Sequence, residues 1–323
     1  MSRYTPPFRI TSAIVKSVAE ICEHVGKWSV YAESASPKLR RENRIRTIQA
    51  SLAIENNTLS IDQVSAVLDG KKVLGPPRDI QEVLNAFTAY EAMNDWRPTS
   101  IVDLLQAHAL LMKGLVDESG RFRSGGVGIY RGDQLVHMAP PAQKVPGLIE
   151  DLLAWLMQTD AHPLIAGSVF HYEFEFIHPF KDGNGRMGRL WQTLILSKWQ
   201  ADMAYLPVET VIREHQVAYY QALEEADNAA DSTVFIEFML NALSLAISGL
   251  VVEQSSEKSS EKSSEKIINL LKIKPKMAVR EIAQEIGLSA RAVEKNIAML
   301  KAAGRLRRIG PAKGGHWEVM DDG

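Results

Sequence analysis

Cysteine is nearly missing: Cys22 is the only one in 323 residues. That excludes an internal disulfide framework and a cysteine-built zinc site, and it suits a reducing, cytoplasmic setting. The phosphate-binding pattern GxxxxGK[ST] is absent, so no P-loop is expected to hold nucleotide. Neither sign of charge is in surplus. The formal net of −2 gives no global pull toward nucleic acid or a membrane surface. The opening MSRYTPPFRI has no apolar h-region, so no signal peptide is expected. The uncharged run 238–252 contains Asn241, Ser244, Ser248 and Gly249. It falls short of the ~20 apolar residues of a spanning helix, so a buried core helix is expected and no membrane partner. What is present is ordinary globular material, 46% hydrophobic and 24% charged, long enough for two or three domains.

One stretch concentrates chemistry: His178-Pro179-Phe180-Lys181-Asp182-Gly183-Asn184-Gly185-Arg186-Met187-Gly188-Arg189. His178 can take a proton near neutral pH. Asp182 offers the oxygen ligand that Mg²⁺ prefers. Gly183, Asn184 and Gly185 form a loop followed by a helical pattern, which puts backbone amides at a helix N-terminus, where anions bind. Arg186 and Arg189 share a helical face and can fork onto phosphate oxygens. Any of these alone would read as a turn or a core histidine. Together they describe a site that holds a polyphosphate–metal complex and deprotonates something beside it.

The stretch resembles, position for position, the HxFx(D/E)GNGRxxR signature of Fic-domain proteins, most of which are protein adenylyltransferases. It differs from the Doc-type kinase variant, in which the second glycine is a larger residue; Gly185 keeps the loop open. The resemblance implies AMP transfer from ATP to a Tyr, Ser or Thr hydroxyl of a target protein, the chain itself included. It makes His178 the general base and gives Asp182 the Mg²⁺ (or Mn²⁺). Gly183, Asn184, Gly185, Arg186, Met187, Gly188 and Arg189 would surround the nucleotide. Ser51-Leu52-Ala53-Ile54-Glu55-Asn56 matches the family's inhibitory (S/T)xxxE(G/N) motif. By resemblance, Glu55 pairs with Arg189 and competes with the γ-phosphate for it, with Ser51 and Asn56 completing the motif. Val127, Gly128, Ile129 and Tyr130 open a stretch that alternates like a β-hairpin as far as Met138, with Arg131-Gly132-Asp133 as its turn. Fic proteins place a flap there that can take a target segment by strand addition; a purely structural hairpin is the alternative. Tyr219-Tyr220, followed by Leu223, is similar to the family's tyrosine pair near ribose and adenine, with core packing as the other reading. Asp227 stands where relatives often carry asparagine.

Flanking patterns complete the division. Residues 1–97 read as an N-terminal helical region holding the inhibitory helix, and 98–252 as the catalytic core. Residues 253–266 contain three Ser-Ser-Glu-Lys repeats whose like charges recur at i,i+4, a solvated linker or a frayed helix. From 267 to 323, helix, glycine turn, helix and a Gly-rich strand pair resemble a winged helix-turn-helix. Residues 265–320 carry twelve Lys or Arg against five Asp or Glu, a net of +7. Arg291, Lys295 and Asn296 are expected to face a DNA groove, and a protein partner is the other use of such a module. The fold expected is therefore mainly α: a Fic-fold helical core with a small flap hairpin, plus the winged helix. Two other functions stay open: removal of AMP by the same site with Glu55 positioning water, and a nucleotide-sensing DNA-binding regulator. A homo-oligomer is compatible with all three.

Overall fold

The structure, a computed structural model, describes residues 4–32, 37–131, 134–311 and 314–320. It divides into two compact units, 1–248 and 249–323.

The first unit is helical. In chain order it comprises α1 (Ser12–Ala32), α2 (Pro37–Ile54), α3 (Ile61–Leu68), α4 (Pro77–Ala92) and α5 (Ile101–Leu111). A hairpin of β1 (Gly128–Arg131) and β2 (Gln134–Met138) follows. After it come α6 (Val145–Gln158), α7 (Pro163–Ile177), α8 (Asn184–Trp199), α9 (Val208–Glu214), α10 (Gln216–Ala229) and, as far as residue 248, α11 (Thr233–Ile273). Local chemistry sets the boundaries. Ser60 and Gln63 close a reciprocal capping box at the start of α3. The Ser100 hydroxyl accepts from the Asp103 amide to start α5. Beyond α2, Asn56 takes φ 68°, a left-handed conformation that asparagine tolerates.

The core centres on α7 and α8. Leu164, Val169, Phe170 and Phe174 from one, and Met187, Leu190, Trp191 and Leu194 from the other, have almost no exposed surface. Each such side chain contributes about 1.5–3 kcal/mol by leaving water. Phe235, Ile236, Met239, Leu240, Leu243 and Ile247 bury the apolar face of α11. The segment Thr233–Val252 is long and apolar enough to cross a bilayer by composition, and half of it is buried within the fold. It is the core helix the sequence predicts.

The hairpin forms in the expected place, antiparallel, with Gly128 opposite Met138 and Ile129 opposite His137. Its turn at 132–133 and the side chains of 129–137 lie outside the described residues.

In the second unit the Ser-Ser-Glu-Lys stretch departs from a solvated linker: α11 is helical through it to Ile273. The repeat also sets Lys262 three residues before Glu265, an attraction that opposes the like-charge spacing, and Glu and Lys are good helix formers. Helices α12 (Val279–Ile286) and α13 (Ala290–Ala302) are joined through Gly287 at φ 71°. Strands β3 (Leu306–Ile309) and β4 (His316–Val319) pair antiparallel as a wing. Ile267, Ile268, Leu271, Ile282, Val293, Ile297, Leu300 and Leu306 form this unit's own core.

Candidate active site

Helix α7 ends in a residue held for a purpose. His178 caps it at φ 48°, ψ 62°, with its amide still donating to the Phe174 carbonyl. A non-glycine residue adopts this left-handed conformation only when its surroundings hold it there. Its Nδ1 lies 3.3 Å from the Glu175 carbonyl oxygen. A carbonyl can only accept, so Nδ1 carries the hydrogen and Nε2 keeps the lone pair that a base needs.

The loop that follows is braced from three sides. Asn184 Nδ2 donates to the Phe180 carbonyl while its Oδ1 accepts from the Phe180 amide, both at 2.9 Å. The Asn184 side chain, expected at the phosphates, is thus spent on shaping the loop. His108, from α5, stacks on Phe180 with ring centres 3.6 Å apart and planes 5° from parallel. Its Nδ1 accepts from the Gly120 amide, so Nε2 donates to the Asp182 carbonyl. Burial pushes the His108 pKa down to about 4, which keeps this neutral tautomer in place. Gly183 sits at φ 86°, and a Cβ there would meet Met112 Sδ at 2.6 Å. The Gly183 amide donates to Asp182 Oδ1, so the amides left without an intrahelical acceptor are those of Asn184, Gly185 and Arg186 on the first turn of α8.

Charged partners already occupy the polar ends of the motif. Asp182 Oδ1 accepts from Arg186 Nη2 at 2.9 Å, and Oδ2 from Arg78 Nη2 at 3.1 Å. Arg186 also donates to Glu82, on α4, through Nη1 at 3.1 Å. The other Glu82 oxygen accepts from Asn57 Nδ2, two residues past Glu55. Arg189 is 2% exposed. It donates to Ser51 Oγ, to the Ser51 carbonyl and, at 2.8 Å, to Glu55 Oε1. Burial works to strip its proton, yet Glu55, by charge and hydrogen bond, together with Tyr219 and Glu175 outweighs this and holds the guanidinium above its ordinary range. Gly185 lies beneath this pair, and a Cβ on it would come within 2.3 Å of Glu55 Oε1. Ser51, Glu55 and Arg189 therefore meet as the motif predicts. Asn56 is the left-handed helix terminator and turns outward.

Three residues expected at the nucleotide are packed into the core in this structure. Met187 is fully buried in the core. Gly188 provides a close approach for His171, whose Cδ2 would lie 2.9 Å from an added Cβ. Tyr219, 2% exposed, donates or accepts at His171 Nε2, 3.1 Å away, and packs against Phe235 and Phe238. It is a core residue. Tyr220 is the member of the pair that stays open, and burial together with the Glu55 charge raises its pKa. Asp227 accepts from the Tyr172 hydroxyl at 2.9 Å.

The hairpin joins the His178 backbone through a residue that the sequence pattern did not single out. Arg123, 4% exposed, reaches carbonyls at both roots of the hairpin and at His178. Arg78, Glu82 and His108 were missed in the same way. They lie 70 to 100 residues before the motif, and no local spacing marks them.

In the second unit Arg291 and Lys295 are exposed on α13. Asn296, expected beside them, is 6% exposed, accepts from Ser264 Oγ and donates to the Ala292 carbonyl. It belongs to the core because its position, three after Val293, falls on the buried stripe of the helix.

Comparison with known proteins agrees with this geometry. A Fic/DOC family model matches residues 98–196, and a winged helix-turn-helix DNA-binding model matches 261–307. A Fic family protein from Desulfovibrio desulfuricans G20, known from its crystal structure, is 53% identical over 99% of both chains, with a TM-score of 0.78. Protein adenylyltransferase fic-1 of Caenorhabditis elegans is 30% identical over 220 residues, 64% of this chain and 41% of the relative. Protein adenylyltransferase Fic of Aedes aegypti is 30% identical over 221 residues. The chain thus spans about two fifths of the length of these curated relatives. The structure of residues 134–508 of C. elegans Fic-1 shares the fold, with a TM-score of 0.61 at 22% identity over 75% of this chain and 74% of that one.

Proposed function

This chain belongs to the Fic/DOC family, and we propose that it is a protein adenylyltransferase held in an inhibited state by Glu55. The observation that carries this reading is the Glu55–Arg189 pair at 2.8 Å, formed over Gly185 on the first turn of α8.

The step balances with this chain's own groups. His178 Nε2 takes the proton of a target Tyr, Ser or Thr hydroxyl. The hydroxyl oxygen forms a bond to the α-phosphorus of ATP, and the bond from that phosphorus to the pyrophosphate oxygen breaks. The amides of Asn184, Gly185 and Arg186 and the Arg186 guanidinium stabilise charge on the phosphates. Arg189 is the natural partner of the γ-phosphate, and Glu55 occupies it. Two anions cannot share one guanidinium without repulsion, so ATP enters with its phosphates displaced or not at all.

The residues present fit Mg²⁺ (or Mn²⁺). Mg²⁺ is commonly held by one or two carboxylates together with substrate phosphates. Asp182, 39% exposed, is the carboxylate in place, once Arg78 gives up Oδ2. The metal would neutralise charge on the α- and β-phosphates when bound.

Intact-protein mass after incubation with ATP, CTP, GTP and UTP tests the proposal. Glu55→Gly should gain AMP-sized mass from ATP, on itself or on an added target, well beyond the parent. Glu55→Gly with His178→Ala should gain none while still binding nucleotide. Equal labelling with and without Glu55 would contradict inhibition. The Glu55 carboxylate is about a third exposed, so it could also hold a water for removal of AMP. Incubating an adenylylated target with and without Glu55 separates that reaction from transfer. We also propose that the second unit binds duplex DNA through α13, where Arg291 and Lys295 stand exposed.

A further inference from the structure

Arg123 is a buried cation whose partners are backbone. Among the described residues its side chain donates to four carbonyls. Nε reaches His178 at 2.7 Å, Nη1 reaches Gly125 at 2.9 Å, and Nη2 reaches Pro140 at 2.5 Å and Ile177 at 3.2 Å. Its own amide donates to the Pro179 carbonyl at 2.9 Å. The four acceptors come from two places. Ile177 and His178 are the exit of α7 that carries the imidazole. Gly125 and Pro140 flank the hairpin, one before β1 and one after β2. The hairpin itself is closed just inside these roots by the Ala139 amide on the Val127 carbonyl, at 3.2 Å.

We infer that Arg123 is a positioning residue that fixes the flap to the carbonyl of the catalytic base and so sets the gap a target's hydroxyl must fill. This rests on the reading of His178 as base and of the flap as the surface that lays down a target strand.

The chemistry requires arginine. A planar guanidinium with five donors can bind acceptors in several directions at once and keep them coplanar, whereas an ammonium is a point charge with no such fork. A buried cation without a carboxylate beside it needs several carbonyl dipoles to replace its hydration. The protein therefore cannot relax one of these contacts without penalising the rest. The His178 backbone is in the left-handed region, and its carbonyl is the one that Arg123 holds through Nε, at 2.7 Å. Removing the guanidinium frees both the base's backbone and the flap roots, and the two then move independently.

Arg123→Gln and Arg123→Lys, each in the full chain carrying Glu55→Gly, test this. Three readouts are needed: AMP incorporation against ATP concentration, nucleotide affinity, and amide hydrogen exchange over 124–141 and 174–183. Arg123→Gln should lower kcat ~100-fold, the cost of about an ångström of misplacement, with KM for ATP and nucleotide affinity unchanged. Exchange should accelerate in both segments together. Arg123→Lys keeps the charge and part of the donor set, so its loss in kcat should be smaller with the same split, and it decides the matter if the glutamine variant does not fold. Loss of nucleotide affinity in step with kcat, or faster exchange in only one segment, would overturn the inference. If the Glu55→Gly parent transfers nothing, the transferase reading fails, and the exchange measurement still decides the coupling.

Discussion

His108 shows how a side chain far along the chain from the motif can shape it. It stacks on Phe180 and holds the Asp182 carbonyl, so the loop between His178 and Asp182 inherits its position. Its pKa falls from 6.5 to about 4 on folding, through burial. A histidine depressed in this way binds protons in the unfolded chain first. Its stabilising contribution is complete above pH 6.5 and is lost as pH falls toward 4. Comparing the parent with His108→Gln isolates this group from buried Glu209, whose pKa is raised to about 7 by burial and whose effect between pH 4.5 and 7 has the opposite sign. Denaturant unfolding at a series of pH values should show the gap between parent and variant closing by about 1.4 kcal/mol per pH unit through that window. A gap that stays constant would mean that the histidine is not held neutral. His178, Asp182, Gly185, Arg189 and Glu55 were legible as residues, because each has a chemistry its spacing exposes. Asn184 and Tyr219 were less legible, because an amide or a phenol can serve a ligand or the fold equally well; here both are bonded within the fold.

Helix α2 acts as a unit. It brings Ser51 and Glu55 onto Arg189, and its C-terminal half is tied down by neighbours: Gln216 Nε2 donates to the Ile54 carbonyl at 3.0 Å, and Arg213 Nη1 donates to Gln49 Oε1 at 2.8 Å. These bonds belong to α9 and α10, so any force that shifts those helices bears on the carboxylate at the end of α2. Gln216→Ala removes one half-buried hydrogen bond, about 1 kcal/mol. If that bond holds α2 closed, AMP labelling should rise by about fivefold, less than with Glu55→Gly. A Gln216→Ala variant with parental labelling would show that the helix end is anchored elsewhere. Helix boundaries rest on local caps and terminators: Ser60, Ser100 and Asn56 mark them in the fold. The Ser-Ser-Glu-Lys stretch was not readable in advance, since its like-charge and opposite-charge spacings compete and the sequence alone does not rank them.

The molecule consists of two units with separate cores, and charge separates them too: a net of +7 over 265–320 within a chain of net −2. Fluorescence anisotropy with duplex DNA at several salt concentrations checks the use of that charge. Lys295→Ala and Arg291→Ala should each flatten the log–log salt slope by ~0.9, one phosphate contact apiece. Asn296→Ala should leave the slope alone and lower the thermal midpoint, because its side chain is bonded inside the core. The sequence by itself determined the helical character, the hairpin's place and the winged module, since all of these follow from periodicity and turn residues along neighbouring positions. Tertiary structure alone decided which groups share a guanidinium or a carbonyl: Arg78 and Arg186 on Asp182, Glu82 on Arg186, and Arg123 between the flap and His178. Those pairings join residues far apart in the chain, where the partner is chosen by how the helices pack and by the cost of leaving a buried charge unmatched.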